Sequence, residues 1–174
     1  MSYESLDYEI IEKENPFEIR LYEEYNVAEV ALEKGDKMGS AGFRHIFNYI
    51  SGRNANKESI AMTVPVLNRE EGSKYVTSFV MPKKYKDKPL PLPDDPEVKI
   101  EKVPQKKMAA YRFSGSVLRE RVTKYEKMLS QWLEKKGYHK LSEARLARYN
   151  SPFSLPILRR NEILIEVEKF EKKS

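Results

Sequence analysis

The stretch Phe17-Glu-Ile-Arg-Leu-Tyr-Glu-Glu-Tyr-Asn-Val-Ala-Glu-Val-Ala-Leu32 returns in pattern, 81 residues on, as Val98-Lys-Ile-Glu-Lys-Val-Pro-Gln-Lys-Lys-Met-Ala-Ala-Tyr-Arg-Phe113. Phe17 aligns with Val98, Ile19 with Ile100, Val27 with Met108, Ala28 with Ala109, Val30 with Tyr111 and Leu32 with Phe113, so apolar meets apolar at each position. Solenoid repeats run about 20 to 50 residues. Two copies at this longer period instead describe one domain, spanning 1–174, with internal pseudo-symmetry. The halves run from about 6 to 82 and from 97 to 169. Between them lies a connector from Pro82 to Pro96 whose prolines forbid a continuous helix or central strand.

Each half has the same grammar. Tyr8 to Lys13 and Phe17 to Tyr25 flank the turn signal Asn15-Pro16 and read as a hairpin, with Phe17, Ile19 and Leu21 alternating against Glu18 and Arg20. Asn26 to Glu33 alternates again, with Ala28, Val30 and Leu32 on one face and Glu29 and Glu33 on the other. Asp36 is the expected N-cap of a helix over 37–51 whose apolar face is Phe43, Ile46, Phe47 and Ile50, stopped by Gly52. Ile60 to Leu67 and Lys74 to Met81 then form strands around Glu70-Glu71-Gly72-Ser73. The second half repeats the order. Strands over 97–103 and 107–113 precede a helix over 117–136 with the stripe Leu118, Val122, Tyr125, Leu129, Trp132 and Leu133. Strands over 145–149 and 162–168 close the set, the last placing Ile163, Ile165 and Val167 inward against Glu162, Glu166 and Glu168 outward.

Two units of this kind bury their helices and join their edges, which removes the open strands that invite aggregation. The expected fold class is therefore α+β: a distorted antiparallel β-barrel of two βαββ-type repeats with two packed helices, leaving a groove at the junction of the halves as a ligand site.

Composition excludes several classes. With 40% hydrophobic and 11% aromatic residues the 174-residue chain can fill a core despite its 34% charge. The 32 basic and 27 acidic side chains are spread along the sequence without a basic arm, which argues against nucleic acid as a partner. No cysteine means no disulfide, thiolate metal site or cysteine nucleophile. The acidic start Met1-Ser-Tyr-Glu-Ser-Leu-Asp-Tyr8 lacks a secretory apolar core, and no run approaches 18 apolar residues. A cytoplasmic protein without a membrane partner is expected.

Three strings, Phe43-Arg-His-Ile-Phe-Asn-Tyr-Ile-Ser-Gly52, Ile60-Ala-Met-Thr-Val-Pro-Val66 and Tyr149-Asn-Ser-Pro-Phe-Ser-Leu-Pro-Ile-Leu-Arg-Arg-Asn-Glu162, resemble the SOUL, or heme-binding protein, family over nearly the whole chain. The resemblance implies a fold similar to the effector-binding domain of multidrug-responsive regulators. It also implies a monomeric tetrapyrrole binder without chemistry of its own, in which heme or another porphyrin is a ligand and not a required cofactor. Carried onto this sequence, the ligand surface uses Phe43, Arg44, Phe47 and Asn48 from the first helix and Phe153, Leu155, Ile157 and Leu158 from the loop before the last strand. The sequence departs from the family pattern at Asn48 and Leu155, where heme-binding relatives carry lysines facing the propionates. Arg44, Arg159 and Arg160 are the replacements at hand. The axial histidine of some relatives has no counterpart between Tyr25 and Leu32.

The remaining chemistry-bearing residues are weighed against plainer roles. His45 and His139 have no second histidine at metal-ligand spacing. His45 lies to one side of its helix's apolar stripe, which suits a rim position better than an axial iron ligand, and His139 follows Lys135-Lys136-Gly137 in a turn. Met62, Val64 and Val66 share a strand face as core filling, and Pro65 there signals an edge or bulge. Tyr22, Tyr25, Tyr49, Tyr111 and Tyr149 read as packing residues with hydroxyls at the surface. For a hydrolase reading, the carboxylate bases to consider are Glu29, Glu120 and Glu162, with no serine–histidine–aspartate set beside them. Arg159-Arg160-Asn161-Glu162 reads as a structural polar cluster. A protein-interaction module without a small ligand is the third reading.

Overall fold

The computed structural model describes residues 3–34, 40–150 and 159–170. In chain order the elements are β1 (Glu4–Ser5), β2 (Tyr8–Glu14), β3 (Phe17–Tyr22), β4 (Tyr25–Glu33), α1 (Ser40–Ile50), β5 (Thr63–Val64), β6 (Val66–Glu71), β7 (Lys74–Val80), β8 (Lys99–Val103), β9 (Lys106–Ser114), α2 (Arg119–Lys136), β10 (Tyr138–Lys140), β11 (Arg145–Arg148) and β12 (Arg160–Lys169), with a short 3-10 turn at Lys83–Tyr85. The class is α+β and the long strands pair antiparallel. The expected hairpin, both helices and the strand order are present. Pro65 breaks the expected strand over 60–67 into β5 and β6, because a residue without an N–H cannot continue a ladder. The expected cap at Asp36 lies outside the described residues.

The chain forms two compact units that do not coincide with the sequence repeats. One holds Glu24–Pro104 with the N-terminal residues up to Leu6; the other holds Asp7–Glu23 with the residues from Gln105 onward. In the first unit the ladder runs β6-β7-β4-β8. In the second it runs β2-β3-β9-β12-β11, with β10 also on β12. Each unit thus takes strands from the other repeat: β3, with β2 beside it, pairs with β9, and β8 pairs with β4. The registers obey the 81-residue offset. Glu18 faces Ala110 and Tyr22 faces Lys106; shifting each number by one repeat gives Lys99 facing Glu29 and Val103 facing Tyr25, which are pairs in the other unit.

The first unit's core is made where α1 lies on β4 and β7. Ile46, Tyr49 and Ile50 point from the helix onto Ala28, Val30 and Phe79, all buried. The approach is close enough that a Cβ on Gly42 would stand 2.8 Å from Thr77 Oγ1, so glycine is required by space. In the second unit α2 buries Leu129, Trp132 and Leu133 against Ile19, Ile163 and Ile165. Trp132 stacks on Phe17 at 5.1 Å and donates Nε1–H to Glu14 at 2.5 Å, which fixes the helix over the hairpin. Gly137 ends α2 in the left-handed conformation, φ 79°, with its N–H returned to Glu134 O and Leu133 O. Leu118, expected on the inward stripe, precedes the first helical turn and is 63% exposed. His139 is exposed as expected, but on β10 and not in a turn.

Both faces of β3 and β12 are covered, against the alternation read from sequence. Ile19 and Ile163 face α2, while Arg20 and Glu162, expected at the polar surface, are each 0% exposed. They can be buried because they satisfy one another.

Candidate functional site

α1 presents four of the expected ligand residues together. At about 100° per residue, Ile46, Tyr49 and Ile50 claim the sheet side, which leaves Phe47, Arg44 and Asn48 on the outward arc with Phe43 at its border. Phe43 is half-buried and leans on core Phe79 with ring centroids 5.1 Å apart. Phe47, one turn on, stacks against Phe43 at 5.9 Å with only 12° between ring planes, yet 48% of it stays exposed. Arg44 is exposed beside it and Asn48 half-buried. An outward aromatic ring held parallel to its neighbour, with a guanidinium alongside, can stack a flat apolar molecule and pair with its carboxylate. Phe153, Leu155, Ile157 and Leu158, the other expected ligand residues, lie outside the described residues.

His45 is turned to the other flank of α1, roughly 160° around the axis from Phe47. There its Nδ1 meets the Asp95 carboxylate of the connector. The His45 hydrogen bond leads in holding Asp95 below the usual carboxylate range, against some opposition from burial, and the Glu97 N–H adds a 2.9 Å bond. His45 is therefore a rim residue that pins the connector, not a group facing the aromatic pair. Tyr49 adds a second tie by donating to Pro91 O at 2.7 Å. Its hydroxyl is thus inside and not at the surface, and burial pushes it up to about 12.

A second polar constellation, in the other unit, was not foreseen. Arg20 forks onto Glu162 through Nη1–Oε1 at 2.7 Å and Nη2–Oε2 at 2.5 Å. Its Nε donates to Glu18 at 2.7 Å, Nη1 also to Tyr22 at 2.9 Å, and its guanidinium lies 4.1 Å from the Tyr8 ring centre. Arg160 joins from above Tyr149, donating to Glu162 at 3.1 Å and Tyr8 at 3.3 Å. Burial pushes the Glu162 carboxyl up, but the Arg20 hydrogen bonds and charge, with Arg160, more than reverse this and hold it below the usual range. Burial also drives the Tyr22 and Tyr149 phenols well above their ordinary value, so neither supplies a phenolate at neutral pH. The expected structural cluster at Arg159-Arg160-Asn161-Glu162 is there, and Arg160 is committed to it. It is not a free propionate partner. A signal was present in sequence: Glu18, Arg20 and Tyr22 share one strand phase, an acid, a base and a phenol in line.

The carboxylate bases of the hydrolase reading are likewise engaged or exposed. Arg69 forks onto Glu29 at 3.1 and 3.2 Å, and Ser78 Oγ donates to the same carboxylate at 2.7 Å. That carboxylate is committed to its arginine and serine partners. Glu120 is exposed in the first turn of α2. Met62 packs against the first unit's core, as expected of core filling. Among the described residues no group of three or more histidine, aspartate or glutamate side chains is placed to hold a metal ion, and no helix is long and apolar enough to cross a membrane.

The family model described as SOUL heme-binding protein matches residues 3–166. The chain belongs to the SOUL heme-binding protein family. No curated protein matches it. Among solved structures, this SOUL chain is similar to the EcmrR C-terminal domain, at 12% identity and TM-score 0.66 over 94% of this chain and 99% of that one. It is also similar to a hydrolase from Listeria innocua, at 12% identity and TM-score 0.62 over 87% and 91%. A third likeness is to an EcmrR–DNA complex, at 14% identity and TM-score 0.65 over 88% and 57%. At these identities the likenesses establish the fold of the SOUL chain and nothing of its ligand.

Proposed function

We propose that this SOUL protein binds a tetrapyrrole, heme or its metal-free ring, on the outward face of α1, without catalysing a reaction. The observation that carries the reading is Phe47, half exposed and held parallel to Phe43 beside Arg44. A lone exposed phenylalanine needs no explanation, but a stacked aromatic pair flanked by a cation fits a flat molecule with acidic arms. Covering apolar surface supplies about 2.5 kcal/mol per 100 Å² before ordering costs. The family resemblance adds Phe153, Leu155, Ile157 and Leu158 as further contacts. The residues fit the ring and one carboxylate. No iron ligand shares the arc with Phe47, because His45 is turned to Asp95.

Absorbance titration of the purified protein with heme and with protoporphyrin tests this. The two should bind within about tenfold of each other, since contact area and not coordination holds them. Phe47→Glu charges the stacking face without touching the core and should weaken both by about tenfold or more. Leu118→Glu, an exposed position just before α2, should leave both unchanged. Unaltered affinity in Phe47→Glu refutes the site; tight binding of heme alone refutes the coordination-free reading.

A further inference from the structure

The core of the second unit holds a ladder of touching aromatic rings. Trp132 stacks on Phe17 at 5.1 Å with 5° between planes, Phe17 meets the Tyr111 ring edge-on at 5.3 Å, and Tyr111 stacks on Tyr125 at 4.8 Å with 20° between planes. Trp132 and Tyr111 are buried and Tyr125 is half-buried, so the ladder leads from an interior indole to a phenol at the boundary with water. Burial of apolar area accounts for the rings. It does not call for the polar groups fitted to the two ends. The Trp132 Nε1–H is aimed at the Glu14 carboxylate at 2.5 Å, and Lys136 holds the other Glu14 oxygen at 3.1 Å. The Trp132 bond first, then Lys136, keep that carboxyl below its usual range, so it is ionised at neutral pH and can take a proton. At the far end Arg121 donates Nη2–H to the Tyr125 hydroxyl oxygen at 3.2 Å. Because that oxygen accepts, the phenolic proton stays available to water, and the bond persists once the proton has left.

We propose that this ladder is a redox relay that moves an oxidising equivalent from Trp132 to Tyr125 and so disposes of one-electron oxidants such as peroxyl radicals. The peroxyl radical takes one electron from Trp132 and one proton from water and leaves as the hydroperoxide, while the indole N–H proton shifts to Glu14. An electron then passes from Tyr125 through Tyr111 and Phe17 to Trp132, Glu14 returns the proton to the indole, and Tyr125 releases its phenolic proton to water. The net change is one hydroperoxide formed and Tyr125 left as a phenoxyl radical. Electron tunnelling falls off exponentially with the gap, which is why rings in contact matter. Phe17 is not itself oxidised; it fills the gap between Trp132 and Tyr111. Burial raises the Tyr111 phenol above its ordinary value, so the proton leaves at Tyr125 instead. The chain has no cysteine, so no thiol competes as the first donor. The relay lies within the second unit and is independent of whether α1 holds a tetrapyrrole.

Laser flash photolysis of the full chain tests it. Light at the red edge of the indole band ionises Trp132 alone, because it is the single tryptophan, and dissolved oxygen takes up the ejected electron. The indolyl absorption should fall as the phenoxyl absorption grows, at one shared rate. Tyr125→Phe keeps the ring and removes the hydroxyl, so the phenoxyl growth should be lost and the indolyl signal should persist. Glu14→Gln keeps a hydrogen-bond acceptor that cannot take the proton, so the Trp132 radical should appear in its protonated form where the wild type shows the deprotonated one. Tyr138→Phe, in the same core but outside the ladder, should behave as the wild type does. Absence of coupled decay and growth in the wild type overturns the relay. Undiminished phenoxyl growth in Tyr125→Phe, equal loss in Tyr138→Phe, or a deprotonated indole radical in Glu14→Gln each overturns it as well.

Discussion

Replacing Arg20 by methionine keeps a long apolar stem and removes the guanidinium. It strips Glu162 of two hydrogen bonds of 2.7 and 2.5 Å and leaves that carboxylate, 0% exposed, with Arg160 at 3.1 Å as its remaining cation. Orphaning one member of a buried ion pair costs about 3–5 kcal/mol, which for a chain of this length lowers the melting midpoint by roughly 6–20 °C. Arg20→Met with Glu162→Leu removes both charges and should be more stable than Arg20→Met alone, a coupling no surface pair would show. The pH dependence has a definite sign. In the wild type the Glu162 carboxyl is depressed, so its stabilisation is present above the unfolded value of about 4.3 and fades as pH falls through the lower folded value. In Arg20→Met burial dominates and raises that carboxyl, so the variant is penalised above pH of about 4.3 and relieved below it. Urea unfolding from pH 4 to 8 should therefore show a gap between the two proteins that widens with pH. A loss under about 1 kcal/mol at pH 7, or a gap that does not narrow in acid, refutes the account.

Ala110 faces Glu18 on one neighbouring strand and Leu164 on the other, between the positions from which Arg20 and Glu162 reach each other. Ala110→Leu should overpack the path of the guanidinium and destabilise by about 1–3 kcal/mol in the same urea assay; wild-type stability would show that the fork does not cross that methyl. Gly137→Ala places a Cβ at φ 79° in the α2 cap and should lower stability by about 1 kcal/mol, read as a drop of about 2–4 °C in a thermal melt. No shift would mean that the cap contributes nothing.

Much of the architecture was legible because period-2 alternation and helical spacing report directly on one-sided burial. β4 obeys this: Ala28 and Val30 are buried toward α1 as read. The rule failed where a strand is covered on both faces. Arg20 and Glu162 then look like surface residues, since a sequence shows the polarity of a side chain but not the partner that neutralises it. The tyrosine hydroxyls failed alike: Tyr22 and Tyr49 hold buried partners, on Arg20 and on Pro91 O. The placement of Phe43 and Phe47 side by side on α1 was legible from their helical phase. The tie from His45 to Asp95 was not, because it joins residues fifty apart and one of them sits in a proline-rich run without periodicity.

The exchange of β3 and β8 between the two units makes the polypeptide hard to divide. A cut anywhere in the proline-rich stretch yields an N-terminal fragment lacking β8 and a C-terminal fragment lacking β2 and β3, so each loses a ladder partner, of β4 and of β9. Neither half of the repeated sequence therefore holds every strand of one unit, so two separately made halves would have to reassociate to restore either ladder.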